Sequence, residues 1–304
     1  MSIEKKVIAV FGATGNQGSG VVRALQASGQ FKVRALSREP SKYKGSADEI
    51  VAADLGRPET LLRSLEGAHG VFLVTNFWQE GADEIKQATA AIEAAKASGV
   101  NHLIWSTLPN VEAISGGEFK LPQFTGKAKV DAIVKEAGFA RYTFVVPPAY
   151  YQNFSGPFGP QKQPDGSMGW VLPIDPTVRC FHMGDINELG NIVAGAFARP
   201  GETGDGAYLP LVGDFLSFDD LVGTLNELGR QLTFTRVPRE VYAGFFPGAD
   251  ALGETLAYYE TYTYLGPGSH SDEIALANKI AGRTPTSFAS WAKNNFKIDQ
   301  AYPT

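Results

Sequence analysis

An apolar, largely β-branched run, Val7-Ile8-Ala9-Val10-Phe11, stops at Gly12 and continues as Ala13-Thr14-Gly15-Asn16-Gln17-Gly18. Glycines at 12, 15 and 18, set between a strand and a helix, can do three things. They make a tight turn, let backbone approach a pyrophosphate, and let the helix pack closely on the strand. A helix opening at Asn16 and Gln17 points unpaired N–H groups and its positive dipole end at the same spot, which suits an anion. The chemistry expected of Gly12, Thr14, Gly15, Asn16, Gln17 and Gly18 is dinucleotide binding.

A second strand, Phe31 to Leu36, ends at Ser37-Arg38. In a dinucleotide fold this end faces the adenosine ribose. A carboxylate there accepts from the 2′-hydroxyl and repels a phosphate, whereas an arginine attracts one. Arg38 and Lys42 stand at this point, with Glu39 expected to turn elsewhere. They read either as selectivity for NADP over NAD or as a solvated basic pair. Asp54 and Leu55 end a third strand, 50–55; Asp54 reads either as an adenine contact or as the cap of a helix opening near Pro58.

Carbonyl reduction by a nicotinamide needs a proton donor, usually a tyrosine. A lysine four residues later orients the ribose and, by its charge, lowers the phenol's pKa. Lys127 and Lys129 follow the fifth strand, but position 123 is a glutamine, which is no general acid at neutral pH. Lys127 therefore reads as a ribose and nicotinamide contact without its donor. Ser106 and Thr107, at the fifth strand's end, offer hydroxyls, as do Tyr150 and Tyr151 beyond the sixth. These groups are either substitutes, with Lys127, Tyr150 and Tyr151 as catalytic candidates, or only the walls of a pocket.

The elements that must carry these residues follow from hydrophobic patterning. A fourth strand is expected over 71–76, continuous and apolar as buried parallel strands are. A helix over 83–98 closes at Gly99, a fifth strand covers 102–107, a helix over 125–136 ends at Gly138, and a sixth strand covers 142–146. Strands alternating with helices predict an α/β fold, a Rossmann-type doubly wound parallel sheet with ligands at the strands' carboxyl ends. Residues 1–150 form the expected NADP-binding domain. Residues 151–304 form a smaller, mostly helical substrate- or partner-side lobe, interleaved with it. Within that lobe, 155–177 is rich in Gly, Pro and Gln and predicts a loop beside a cleft. Asp185 is the expected cap of a helix, strands are expected at 206–211 and near 232–237, and Tyr258, Tyr259, Tyr262 and Tyr264 are expected to form lobe core.

The 304 residues are 43% hydrophobic and 19% charged with a net charge of −5, which suits one large globular unit and argues against a nucleic-acid surface. Cys180 is the single cysteine, so an intrachain disulfide and a zinc–thiolate cluster are excluded, and the thiol is expected to be buried. The four histidines lack metal-ligand spacing, and no metal site is expected. No apolar stretch would span a bilayer, and nothing resembles a signal peptide. A cytoplasmic protein is expected, without membrane or direct nucleic-acid contacts.

Several segments together resemble the NmrA-like family, an atypical branch of the short-chain dehydrogenase/reductase superfamily. They are Val10-Phe11-Gly12-Ala13-Thr14-Gly15, Phe31-Lys32-Val33-Arg34, Val74-Thr75-Asn76-Phe77-Trp78, Phe124-Thr125-Gly126-Lys127, Phe246-Pro247-Gly248-Ala249 and the C-terminal stretch at Trp291. The likeness is greatest to the HSCARG-type NADPH sensors. It implies that Gly12, Gly15, Asn16, Gln17 and Gly18 bind NADP, with Arg38 and Lys42 on its 2′-phosphate and Asp54 near the adenine. It also implies that Thr75, Asn76 and Phe77 lie beside the cofactor, and Lys127 with Tyr150, Tyr151, Gln152 and Asn153 near the nicotinamide. Gln123 departs from the histidine that related members often carry there. The resemblance implies a redox-sensing regulator with little dehydrogenase activity; the alternative is an NADPH-dependent quinone or carbonyl reductase. A regulatory protein partner, a small quinone or carbonyl substrate and a homodimer are the partners these readings allow.

Overall fold

Strand β1 (Lys6–Val10) is buried on both faces: Ile8 and Val10 point to one side, Ala9 and Phe11 to the other, and all four are buried. Such a strand needs a covering layer on each side, and the rest of the chain supplies two. The computed structural model describes residues 4–156 and 158–298.

After β1 the chain runs through helix α1 (Asn16–Ser28), β2 (Phe31–Ser37), β3 (Glu49–Ala52), α2 (Leu61–Ser64), β4 (Gly70–Leu73) and α3 (Glu84–Ala97). It continues with β5 (His102–Ser106), α4 (Val111–Ile114), α5 (Pro122–Glu136), β6 (Arg141–Val146) and β7 (Ala149–Tyr150). Beyond these come β8 (Gln161–Lys162), β9 (Met168–Leu172), β10 (Phe181–Gly184), α6 (Leu189–Ala198), α7 (Pro200–Thr203), β11 (Asp205–Pro210) and β12 (Asp214–Leu216). The chain then closes with α8 (Phe218–Glu227), β13 (Leu232–Arg236), α9 (Arg239–Tyr242), α10 (Ala249–Tyr262), α11 (Ser271–Ala281) and α12 (Phe288–Asn295).

Seven parallel strands form the central sheet in the order β11-β6-β5-β4-β1-β2-β3. One face packs Ile8, Val33, Phe72 and Ile104 against Val22 and Leu25 of α1, Val193 of α6 and Ile280 of α11. The other packs Phe11, Leu73, Trp105 and Phe144 against Leu61, Ile92, Val130 and Val134 from α2, α3 and α5. This is the doubly wound α/β sheet that the alternation predicted. Strand order reverses between β1 and β4, and in open sheets of this kind ligands bind beyond the carboxyl ends of the strands at such a point.

Two small sheets, β12-β10-β7 and β13-β9-β8, build a third core with α8, α10 and α12, rich in Tyr151, Phe181, Phe218, Tyr258, Tyr259, Phe288 and Trp291. Tyr258, Tyr259 and Tyr264 are buried in it, as expected, and Tyr262 is half-buried against it. Cys180 is fully buried, and burial pushes its thiol up to about 12. The segment 155–177 is not one loop: β9, with Trp170 buried, pairs in parallel with β13 over Met168–Leu172. Its five residues hide among glycines and prolines, and only the partner strand 64 positions later shows them to be sheet. Asp185 accepts from the N–H of Asn187 and caps a short 3₁₀ turn that leads into α6. Among the described residues no helix is long and apolar enough to cross a membrane.

Candidate functional site

The turn after β1 is built by close approach. Gly12 adopts φ +63°, a left-handed conformation, and its carbonyl accepts from the N–H of Gly15 at 2.8 Å. A Cβ on Gly18 would lie 2.1 Å from Gly12 O, so only glycine allows α1 to start this close to β1. Gly15 caps α1 without a side-chain hydrogen bond, which leaves the first-turn N–H groups of Asn16, Gln17 and Gly18 for a ligand. Gly12, Thr14, Gly15 and Asn16 are exposed. This exposed turn, with the free N–H groups of the first turn of α1 behind it, is a cradle that fits a pyrophosphate.

Along the same edge, Arg38 leaves the end of β2 exposed, and Nη1 donates to Gln79 Oε1 at 3.3 Å. Among the described residues no carboxylate pairs with it. Lys42 instead pairs with Glu39 at 2.6 Å on the surface, so the carboxylate expected to turn elsewhere shares this corner. Asp54 is half-buried beyond β3, which ends at Ala52, and Leu55 is half-buried against the core that holds Phe11 and Leu73. The Asp54 carboxylate accepts from the N–H of Gly56 and so closes its own turn; the 3₁₀ turn at Pro58 has no side-chain cap.

Past β4, Asn76 Oδ1 accepts from the N–H of Trp78, and Phe77 meets the Trp78 ring edge-on at 5.2 Å between centroids. Thr75 is buried, and its Oγ1 donates to Glu84 Oε1 at 2.6 Å. Lys127 reaches the same place from α5: its Nζ lies 2.7 Å from Glu84 Oε1 and 3.1 Å from both Thr75 O and Thr75 Oγ1. The two charged side chains are 9% and 5% exposed, which makes this a buried ion pair. Burial pushes the Lys127 ammonium down, and the adjacent Glu84 carboxylate holds its proton on. Gln123 sits in the first turn of α5, four residues before Lys127.

Ser106 Oγ donates to Gln17 Oε1 at 2.6 Å, and Gln17 Nε2 donates to Tyr150 Oη at 3.0 Å. Three residues singled out from sequence, on α1, β5 and β7, thus form one hydrogen-bonded chain beside the glycine turn. Burial raises the Tyr150 phenol. Thr107 is buried, and its N–H donates to Val145 O at 3.0 Å.

The structure does not bring Tyr151 to this edge. The backbone leaves β7 and enters a 3₁₀ turn at Tyr151, so its side chain points away from that of Tyr150. Its hydroxyl donates to Asp214 Oδ2 at 2.7 Å, and its ring packs on Phe288 and Trp291, fully buried. Burial and the Asp214 charge push that phenol far up, which unsuits it for proton transfer. Gln152 donates to Asp185 Oδ1 at 2.5 Å and ties the turn to the entry of α6. Asn153 is half-buried, and its carbonyl accepts from Gly156 and Phe158.

Sequence reasoning missed Glu84. It lies 43 positions from Lys127, and a glutamate in the first turn of a helix normally reads as solvated. It also forms part of the wall of a cleft of about 580 Å³ between α3 and α5, with Phe77, Ile85, Leu121, Thr125 and Gly126. Together the edge offers an anion cradle, a guanidinium without a carboxylate partner, a neutralised lysine and one half-buried phenol, without a tyrosine–lysine dyad.

A model of the NmrA-like family matches residues 4–299. An NmrA-like family domain-containing protein of Dictyostelium discoideum is 29% identical, over 98% of this chain and 100% of its own. The NmrA-like family domain-containing oxidoreductase himF of Aspergillus japonicus is 28% identical over 91% and 90% of the two chains. Among solved structures, NmrA, a negative transcriptional regulator in complex with NADP, superposes with a TM-score of 0.78 at 23% identity, covering 97% of this chain and 96% of its own.

Proposed function

This chain belongs to the NmrA-like family, and from that premise we propose that it is an NADP(H)-binding, redox-sensing regulator of the HSCARG type with little dehydrogenase activity. The cradle of Gly12, Gly15 and Gly18 takes the pyrophosphate on the first turn of α1, and Arg38 takes the 2′-phosphate as a charge-assisted partner. The NADP complex of the solved NmrA structure and the fold shared with it support this reading. Bound there, the dinucleotide would supply or accept a hydride at its nicotinamide. The residues of this chain bind and orient it across the carboxyl edge.

The single observation that carries the reading is the state of Lys127. In a reductase dyad the ammonium stands beside a tyrosine and lowers its pKa. Here the ammonium is spent on Glu84 and Thr75, and residue 123 is a glutamine. A protein of this kind reports which cofactor it holds through a partner protein, and the regulator named among its structural relatives supports that role.

The runner-up is an NADPH-dependent reductase of easily reduced acceptors such as quinones. Tyr150 favours it, because its oxygen accepts from Gln17, which orients a phenol that carries a proton of its own. The oxidoreductase named among the sequence relatives supports it too. Calorimetry with NADPH, NADP⁺, NADH and NAD⁺, followed by NADPH oxidation over a panel of aldehydes, ketones and quinones, separates the two. We expect tight NADP(H) binding with no turnover. Robust carbonyl turnover sinks the regulator reading, and turnover with quinones alone selects the reductase.

A further inference from the structure

Glu84 and Lys127 form a buried ion pair directly behind Thr75, the residue at which the chain leaves the carboxyl end of β4. Glu84 Oε1 accepts from both Lys127 and Thr75, whereas Oε2 is buried and has no hydrogen-bond partner among the described residues. Half of this carboxylate is therefore left without a hydrogen bond among the described residues, and the first turn of α3 is the nearest dipole to it. The pair sits in low-dielectric surroundings, where its charges act over distance. The other charges near the cleft, Asp83, Glu112, Lys120 and Lys129, are exposed or half-exposed, and water and salt screen them more strongly.

We propose that Glu84, by neutralising Lys127, sets how tightly the protein holds NADP⁺ relative to NADPH. The proposal rests on the reading above that NADP(H) lies across the carboxyl edge. The adenosine half belongs at the end of β2 and the pyrophosphate at the glycine turn. The strand order reverses between β1 and β4, so the other half extends toward Thr75 and Ser106. The oxidised nicotinamide carries a positive charge and the reduced one is neutral, while the rest of the molecule is the same. A fixed charge behind Thr75 therefore ranks the two forms, and a balanced pair does not. Glu84 is a positioning and charge-setting residue here, not a catalytic one.

The experiment measures dissociation constants of NADP⁺, NADPH and 2′-phospho-ADP-ribose, which lacks the nicotinamide, for wild type and variants. Glu84→Gln leaves an unbalanced ammonium, and we expect NADP⁺ to weaken relative to NADPH by about two- to tenfold. Burial pushes that ammonium down, so the shift in the ratio should grow as the pH of the measurement is lowered. Lys127→Met leaves an unbalanced carboxylate and should shift the ratio the opposite way, while the double variant Glu84→Gln/Lys127→Met should return it toward wild type. Glu84→Asp, which keeps the charge, should stay near wild type. Unchanged affinity for 2′-phospho-ADP-ribose verifies that each variant keeps its fold. If Glu84→Gln loses that ligand, Lys127→Met and the double variant decide. Ratios within twofold of wild type in both single variants overturn the proposal while the cofactor reading survives; a wild type that binds neither NADP⁺ nor NADPH overturns both.

Discussion

Gln17 Nε2 donates to Tyr150 Oη at 3.0 Å across 133 residues of sequence, and Ser106 holds the other end of the same amide. The first turn of α1 thus carries, besides the anion cradle, the group that orients the half-buried phenol of Tyr150. The donation occupies a lone pair of the Tyr150 oxygen and leaves the phenol its own proton. Tyr150→Phe should change stability by less than about 1 kcal/mol, since the lost partner is half-exposed. It should cut at least tenfold whatever NADPH oxidation a quinone elicits. Urea unfolding and absorbance assays check the two halves, and undiminished quinone turnover would refute the donor role.

Tyr151→Phe should behave in the opposite way. Its hydroxyl serves Asp214, a carboxylate that also accepts from the N–H of Phe288. Loss of that donor inside the third core should cost about 1–3 kcal/mol of stability and leave NADPH affinity unchanged. A weakened cofactor with intact stability would contradict the placement of this residue.

Gly18→Ala should separate helix α1 from β1. Its Cβ would stand 2.1 Å from Gly12 O and 2.9 Å from Ala13 N, and both are backbone atoms that cannot swing aside. We expect a loss of about 1–3 kcal/mol and at least a tenfold loss in NADP affinity. Gly223→Ala is the control: it lies exposed in α8 with open space around it and should stabilise by roughly 0.5–1 kcal/mol. Thermal melts with and without NADP read both.

Arg38→Ala should narrow the preference for NADP over NAD by about tenfold or more, the worth of a charge-assisted hydrogen bond. Lys42→Ala should narrow it less, because Glu39 already engages that ammonium. Calorimetry with both cofactors tests this. An unchanged ratio in Arg38→Ala would assign the phosphate to another residue.

Asp131 predicts a pH signature. Burial pushes its carboxyl up to about 6 from 3.8, opposed by the hydroxyls of Thr107 and Tyr208 and by the charge of Lys135. The folded state then binds this proton more tightly than the unfolded state does, so its effect is a penalty. The penalty is absent below about pH 4, grows as pH rises toward 6, and is complete above, at about 3 kcal/mol. Asp131→Asn should therefore gain stability relative to wild type by up to that amount between pH 4 and pH 7. Effects shared by both proteins, such as protonation of the buried His102 and His182, cancel in the difference. A pH-independent difference in urea unfolding would refute it.

Local patterning by itself determined the strand–glycine–helix opening, the succession of parallel strands, the helix ends at Gly99 and Gly138, and the basic corner at Arg38. Each of these depends on neighbours within a few residues: an apolar run, a residue that tolerates positive φ, a cap. The tertiary structure alone decided the rest. Tyr150 and Tyr151 are adjacent and chemically identical. The change from strand to 3₁₀ turn between them sends one hydroxyl to Gln17 and the other to Asp214. Lys127 is recognisable on its helix, but its charge is cancelled by Glu84, a residue from another helix that meets it only when α3 and α5 pack side by side. Likewise β9 becomes sheet only because β13 lies beside it. Charge balance, side-chain direction and strand partners are properties of pairs distant in the chain, and no window of sequence contains both members.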